Sequence, residues 1–152
     1  MRSNAVIFDL DGTIVDTGPA QHLVRKKPKD FHGFHLYGST DALPNEWVAN
    51  HARQWSRRGV SIIYVSGRPA EWEFLTTHWL RLHGLPDGKM YMRSNGDHRP
   101  DDVIKKEIYD RDIDPSYRII ACYDDRPRII RMWRSLGLHV VDVGTWPSDI
   151  ED

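Results

Sequence analysis

The chain has 152 residues, of which 39% are hydrophobic and 28% charged, and its formal net charge is −1. This length suits a single domain, residues 1–152, that buries roughly 68–70% of its unfolded surface. The balanced charge excludes a global basic field, so a polyanionic ligand would need a local basic patch. The single cysteine, Cys122, excludes an internal disulfide and fits a reducing compartment.

The sequence carries no feature of membrane targeting. Asp9 interrupts the first apolar run almost at once, which is unlike a signal peptide. No apolar run approaches the roughly 20 residues that a bilayer-spanning helix needs. We therefore expect a cytoplasmic protein with no membrane partner.

The first predicted strand, residues 5–8, leads into two acidic residues. Because side chains alternate along a strand, Asp9 and Asp11 would face the same way as the chain leaves the sheet. Gly12 permits a sharp turn there, and ligands of open α/β sheets bind at the carboxyl ends of strands. In isolation Asp-Leu-Asp-Gly is more often a simple strand-ending turn, so its interpretation depends on later motifs.

Residues 16–40 show no clear hydrophobic period and are predicted to form a long loop with a short helix or hairpin. The segment contains the basic run 25–29 and two histidines, His32 and His35. A metal site built on this pair is disfavoured because no third ligand lies nearby. Solvated or substrate-facing histidines fit the pattern better.

Helical and strand patterns alternate over the rest of the chain. Helices are predicted over about 44–58, 69–83, from 101 onward and over 127–136. Strands are predicted over 60–65, 89–92, 117–123 and 138–143. This alternation predicts a doubly wound, mainly parallel α/β sheet in one domain.

Four strand ends or helix starts carry groups that phosphate chemistry needs. Asp9 and Asp11 offer a nucleophile and a proton donor. Ser66-Gly67 offers a hydroxyl and backbone amides before a helix, and Lys105 offers a compact positive charge. Asp124-Asp125, together with Asp9, forms an oxygen ligand set that suits Mg²⁺.

Each of these features has a plainer explanation when it is taken alone. Ser66-Gly67 is a common strand-to-helix turn, Lys105 could be a solvated helix residue, and Asp124-Asp125 could cap the following helix. Their joint occurrence, in this order on alternating elements, favours one shared site.

Asp9-Leu-Asp-Gly-Thr13, Ser66, Lys105 and Asp124-Asp125 resemble the four motifs of the haloacid dehalogenase (HAD) superfamily of phosphotransferases. A longer series is similar to the 3′-phosphatase domain of phage polynucleotide kinase-phosphatases, which heal RNA and DNA ends. That series comprises Val65-Ser-Gly-Arg68, Met92-Arg93, residues 99–108, Tyr123-Asp-Asp-Arg126 and residues 132–137. The resemblance is good over about the C-terminal two thirds and poor over residues 16–40.

The resemblance implies a HAD core without a large cap domain and an aspartyl-phosphate mechanism. Asp9 would attack phosphorus, and Asp11 would protonate the leaving oxygen and then activate water. The carboxylates of Asp9 and Asp124 and the backbone carbonyl of Asp11 would hold Mg²⁺, with Asp125 outside or bound through water.

The same resemblance assigns the remaining polar positions. Ser66, Gly67 and Lys105 would hold the phosphoryl oxygens, and Arg68, Arg93 and Arg126 would steady phosphate or neighbouring polar groups. Because Asp11 must carry a proton in the first step, we expect its pKa to be raised by nearby Asp9 and partial burial.

The spacing between motifs leaves no room for a large lid, which predicts an open site able to accept a polymer end. Residues 25–29 and Arg126, Arg128 and Arg131 could hold a nucleic acid strand, although they could equally be solvated charges. Phe31, Phe34 and Tyr37 could stack on bases, although anchoring roles are commoner.

A Mg²⁺-dependent polynucleotide 3′-phosphatase is therefore the leading interpretation, with 3′-phosphate ends of nucleic acid as substrate. The alternatives are a phosphatase of small phosphoesters such as nucleoside monophosphates, and a non-catalytic phosphate-binding module, which the intact acids disfavour. No G-x-x-x-x-G-K-[ST] phosphate loop occurs. A kinase domain would be a separate chain or a missing part.

Overall fold

The computed structural model describes all 152 residues. Five parallel strands form one sheet in the order β3-β2-β1-β4-β5. The strands are β1 Ser3–Phe8, β2 Ser61–Pro69, β3 Lys89–Arg93, β4 Tyr117–Asp124 and β5 Val140–Asp142. The sheet grows outward from β1 on both sides, so the strand order reverses between β1 and β4. Ligand sites of open α/β sheets lie at such a switch point.

Helices cover both faces of this sheet. They are α1 His22–Arg25, α2 Phe31–Ser39, α3 Glu46–Arg57, α4 Glu73–Leu82, α5 Asp101–Ile108 and α6 Pro127–Ser135. Alternate residues of β1 enter two different cores: Val6 and Phe8 pack with α3 and α4, whereas Ala5 and Ile7 pack with α5 and α6. This arrangement confirms the predicted doubly wound α/β fold, with every strand pair parallel.

The prediction for residues 16–40 was only partly right. A 3₁₀ turn, Gly18–Ala20, precedes α1, and α2 is a regular helix of nine residues. Its first turn is capped by Asp30, whose side chain accepts a hydrogen bond from the backbone amide of Gly33 at 2.9 Å. Glycines and histidines within α2 blur its hydrophobic period, so packing and the Asp30 cap define this helix more than periodicity does.

The elements between the motifs are small, which agrees with the absence of a large cap domain. Three helices separate β1 from β2, and only a 3₁₀ turn (Ala70–Trp72) and α4 separate β2 from β3. Strand β2 also extends further than predicted, through Ser66 to Pro69. None of the helices combines the length and the apolar character that crossing a membrane requires.

Candidate active site

The site lies at the carboxyl ends of the two central strands. Asp9 follows β1, Asp124 ends β4, and Lys105 reaches both from the last turn of α5. The Lys105 Nζ atom donates hydrogen bonds to Asp9 Oδ1 at 2.8 Å and to Asp124 Oδ2 at 3.2 Å. Although burial disfavours the ammonium, Asp124 and Asp9 raise the pKa of Lys105, which is therefore charged. Three distant segments thus converge, as predicted.

Asp9, Asp124 and Asp125 form a cluster of buried carboxylates whose ligand atoms lie within 4.8 Å of one another. Burial raises the pKa of Asp9 and of Asp125, and the neighbouring carboxylates raise both further. One ammonium cannot balance three carboxylates at this separation. The donor set, which consists only of oxygen atoms and carries excess negative charge, therefore fits a hard divalent cation.

Two further donors fix the orientation of these acids. The Thr13 hydroxyl donates to Asp9 Oδ2 at 2.9 Å, and the indole nitrogen of Trp133 donates to Asp124 Oδ2 at 3.3 Å. The chain turns toward them at Gly12, where φ is +81° and an added Cβ would overlap with Asp125 Oδ2. A side chain at residue 12 is therefore disfavoured both by backbone conformation and by the carboxylate beside it.

Arg68 holds the second acid of the first motif. Its guanidinium donates to both oxygens of Asp11, at 3.0 and 2.6 Å, and to the hydroxyls of Ser39 and Thr76. Burial alone would raise the pKa of Asp11, but the adjacent Arg68 lowers it below the usual carboxyl range. The expectation of a raised pKa was therefore wrong, because it considered Asp9 and burial without this fork-like ion pair.

Ser66 and Gly67 lie in the last part of β2 and have different roles. Ser66 is almost fully buried, and its hydroxyl accepts a hydrogen bond from the backbone amide of Arg68 at 3.0 Å. Gly67 lines the cavity, and a Cβ there would lie 2.6 Å from Asp101 Oδ1. The structure thus brings backbone from this turn to the cavity, while the Ser66 hydroxyl stabilises the turn itself.

Arg93 and Arg126 support the site from its edge. Arg93 donates to the carbonyl oxygen of Gly67 at 2.9 Å and pairs with Asp101. Arg126 pairs with the other oxygen of Asp101 at 2.9 Å and lines the cavity. Sequence reasoning missed Asp101, although its position four residues before Lys105, on the same side of α5, was an available signal.

A cavity of about 590 Å³ opens above the carboxylates. Its floor contains the predicted catalytic and metal-binding acids and Lys105, and its walls come from residues 16–40 and from α6 with the segment after β5. Arg25, Lys29, Phe31 and Phe34 line it. Tyr37 instead packs against the apolar core.

His32 and His35 lie outside both the cavity lining and the carboxylate cluster. They pack around the ring of Trp72, with ring centroids 5.2 and 5.9 Å from it. The group of side chains that could hold a metal ion consists of Asp9, Asp124 and Asp125 and includes neither histidine.

Acid pairs after two adjacent parallel strands, joined by a buried lysine, define a HAD-type phosphatase. The fold is shared with the class C acid phosphatase from Bacillus anthracis, which is 16% identical with a TM-score of 0.67 over 96% of this chain and 68% of that one. The family described as "Polynucleotide kinase PNKP phosphatase domain" matches this chain over residues 3–145, and the chain belongs to this family.

Two relatives are similar over most of this chain. A protein of Autographa californica nuclear polyhedrosis virus, predicted to be a bifunctional polynucleotide kinase/RNA ligase, is 32% identical over 138 residues. A chain in the solved Pnkp1/Rnl/Hen1 complex is 28% identical, with a TM-score of 0.80. These alignments cover 90% and 93% of this chain, but only 19% of the viral protein and 46% of the Pnkp1/Rnl/Hen1 chain.

Proposed function

We propose that this domain is a Mg²⁺-dependent polynucleotide 3′-phosphatase in which Asp9 forms an aspartyl-phosphate. The observation that carries the proposal is the contact of buried Lys105 with both Asp9 and Asp124 at the floor of an open cavity. Membership in a phosphatase domain family supports the reaction class. We further propose that residues 1–152 act as one domain.

The carboxylates of Asp9 and Asp124, with Asp125 beside them, would hold the ion. Mg²⁺ would offset the charge of the phosphate dianion and polarise its oxygens. Lys105 contributes a second positive charge 2.8 Å from Asp9, which reduces the repulsion between this carboxylate and an incoming phosphomonoester. The backbone at Gly67, which lines the cavity, would bind phosphoryl oxygens.

Asp9 would attack phosphorus while the bond from phosphorus to the sugar oxygen breaks and that oxygen takes a proton from Asp11. Water would then attack the aspartyl-phosphate as Asp11 takes its proton, releasing inorganic phosphate and restoring Asp9. The two hydrogen bonds from Arg68 orient Asp11 and favour its ionised form, which suits the second step. Before the first step, Asp11 must take up a proton although its ion pair with Arg68 favours the ionised form.

Two observations support a polynucleotide substrate. The cavity is open, and its walls contain Arg25, Lys29 and Arg126 with aromatic side chains between them. The similar viral and Pnkp1 proteins carry names that refer to polynucleotide kinase activity or an RNA repair complex. Because this chain has no phosphate-loop motif, we propose that kinase activity, where it accompanies this domain, comes from other sequence.

A phosphatase of small phosphoesters is the second candidate, because a cavity of about 590 Å³ falls within the size range of small-molecule sites. Phosphate release should be measured from a 3′-phosphorylated oligonucleotide, a 5′-phosphorylated oligonucleotide and nucleoside 3′-monophosphates, with Mg²⁺ and with EDTA. We expect Mg²⁺-dependent release that is fastest from the 3′-phosphorylated oligonucleotide and is abolished in Asp9→Asn. Equal rates on all substrates would favour the second candidate, and an active Asp9→Asn would eliminate Asp9 as nucleophile.

A further inference from the structure

The segment that follows β5 crosses the mouth of the cavity. We call residues 146–152 the acidic segment. Asp149 pairs with Arg25 on one wall at 3.2 Å, and Asp152 pairs with Arg126 on the other wall at 2.7 Å. The ring of Trp146 lies 5.2 Å from the Arg126 guanidinium. A single stretch of chain therefore connects both walls through carboxylates.

The position of Asp152 has the chemistry of a phosphate site. Its side chain is 3% exposed and contacts both the Arg126 guanidinium and the backbone amide of Arg128, in the first turn of α6. Guanidinium groups and amides at helix N-termini are common phosphate ligands. A carboxylate of the chain itself thus contacts donors of the kind that bind phosphate.

The opposite wall has the chemistry that binds single-stranded nucleic acid. Phe31 lines the cavity although its side chain is exposed, and Lys29 Nζ lies 6.0 Å from its ring centroid. Arg25, on α1, is the adjacent cation and is held only by Asp149. An exposed ring flanked by cations is a platform on which a base can stack while its phosphates are bound.

We propose that the nucleic acid strand leading to the 3′-terminal phosphate lies in the cavity, between these two walls. Phe31 stacks on a base near the end, and two phosphodiester groups bind at Arg25 and at Arg126 with the amino terminus of α6. Asp149 and Asp152 occupy these two phosphate places until the strand displaces them. This inference rests on the proposed function and extends it, because it states where the polymer binds and what it must displace.

The test compares a 3′-phosphorylated oligonucleotide with a nucleoside 3′-monophosphate, which has no phosphodiester group. In Asp149→Asn/Asp152→Asn the KM for the oligonucleotide should fall about fivefold relative to the KM for the mononucleotide. Arg25→Ala and Phe31→Ala should raise the same ratio about fivefold. Arg25→Ala should also reduce the slope of log KM against log salt by about 0.7, the value for one single-strand phosphate contact.

Arg81→Ala is the matched control, because it removes an equal charge from an exposed pair with Asp87 outside the cavity; it should leave the KM ratio unchanged. Thermal melts establish that each variant is folded. The inference is overturned if the double variant and Arg25→Ala both keep the wild-type KM ratio while the wild type cleaves the oligonucleotide. If the wild type hydrolyses only the mononucleotide, the proposed function itself fails, and this inference fails with it.

Discussion

Replacement of Arg68 by Met should impair both catalysis and stability, because this buried guanidinium serves the site and the core at once. Arg68 is 1% exposed and donates to both oxygens of Asp11, to two hydroxyls and to the carbonyl oxygen of Gly38. Met keeps much of the aliphatic stem but supplies none of these hydrogen bonds. Asp11 would lose its orientation and its counter-charge.

The expected loss of stability depends on which former hydrogen-bond partners of Arg68 are hydrated after the substitution. Breaking a buried ion pair by removing one member costs about 3–5 kcal/mol, but Asp11 keeps 22% of its side chain exposed and is partly rehydrated. The Gly38 carbonyl stays buried without a donor, which costs about 1–3 kcal/mol. We expect a total near 3 kcal/mol, which lowers Tm by roughly 6–12 °C in a domain of this size.

Thermal and urea unfolding measure the stability of Arg68→Met, and phosphate release across pH measures its activity. Without Arg68, the strongest influence that lowers the pKa of Asp11 is lost and burial raises this pKa, with only His35 and Lys105 opposing it. Because Asp11 must carry a proton in the first step, the alkaline limb of kcat/KM should move to higher pH. Arg53→Met is the matched control. Arg53 donates to the carbonyl oxygens of His83 and Gly84 away from the cavity, so this variant should lose about 1 kcal/mol and keep its activity. An Arg68→Met protein with wild-type Tm and pH profile would refute the reasoning.

Two further predictions concern the acid cluster. The pKa of Asp125 is raised above the ordinary 3.8, so ionising this carboxyl group destabilises the fold. Without divalent ions, Tm should therefore fall as the pH rises above 3.8. Asp125→Asn should flatten that fall and shrink the gain in Tm on adding Mg²⁺, as melts in EDTA and in Mg²⁺ would reveal; an unchanged pH dependence would contradict this. Gly12→Ala and Gly137→Ala both place a side chain at φ +81° and should each lose about 1–2 kcal/mol. Only Gly12→Ala also meets Asp125, so it alone should lose phosphatase activity, and equal activities would count against the crowding argument.

The parts of the site that sequence could predict are those placed by strand periodicity. Asp9 and Asp124 each follow an apolar strand, and the carboxyl ends of neighbouring parallel strands share one edge of the sheet. Their convergence therefore followed from pattern alone. Lys105 alone could be a solvated helix residue, and it was added because of its joint occurrence with the other motifs and the resemblance to the HAD superfamily.

Interactions between side chains distant in sequence could not be predicted in this way. Arg68 was expected to steady phosphate or neighbouring polar groups, but its partner Asp11 lies 57 residues away, and no local pattern reveals which group it binds. The same holds for Asp101 between Arg93 and Arg126, and for the acidic segment. The bounds of helix α2 could not be predicted within residues 16–40, because its cap and its packing, rather than its hydrophobic period, stabilise it.

The central place of β1 has a consequence for how the domain acquires activity during folding. Asp9, which follows β1, is synthesised first, but Lys105 and Asp124 come from sequence about 100 residues later. Such non-local contacts form slowly, because the entropy of closing a long loop is lost before the contacts can stabilise the chain. Asp9 therefore stays without its partners until the second half of the chain has docked, and we expect phosphatase activity to appear only after that step.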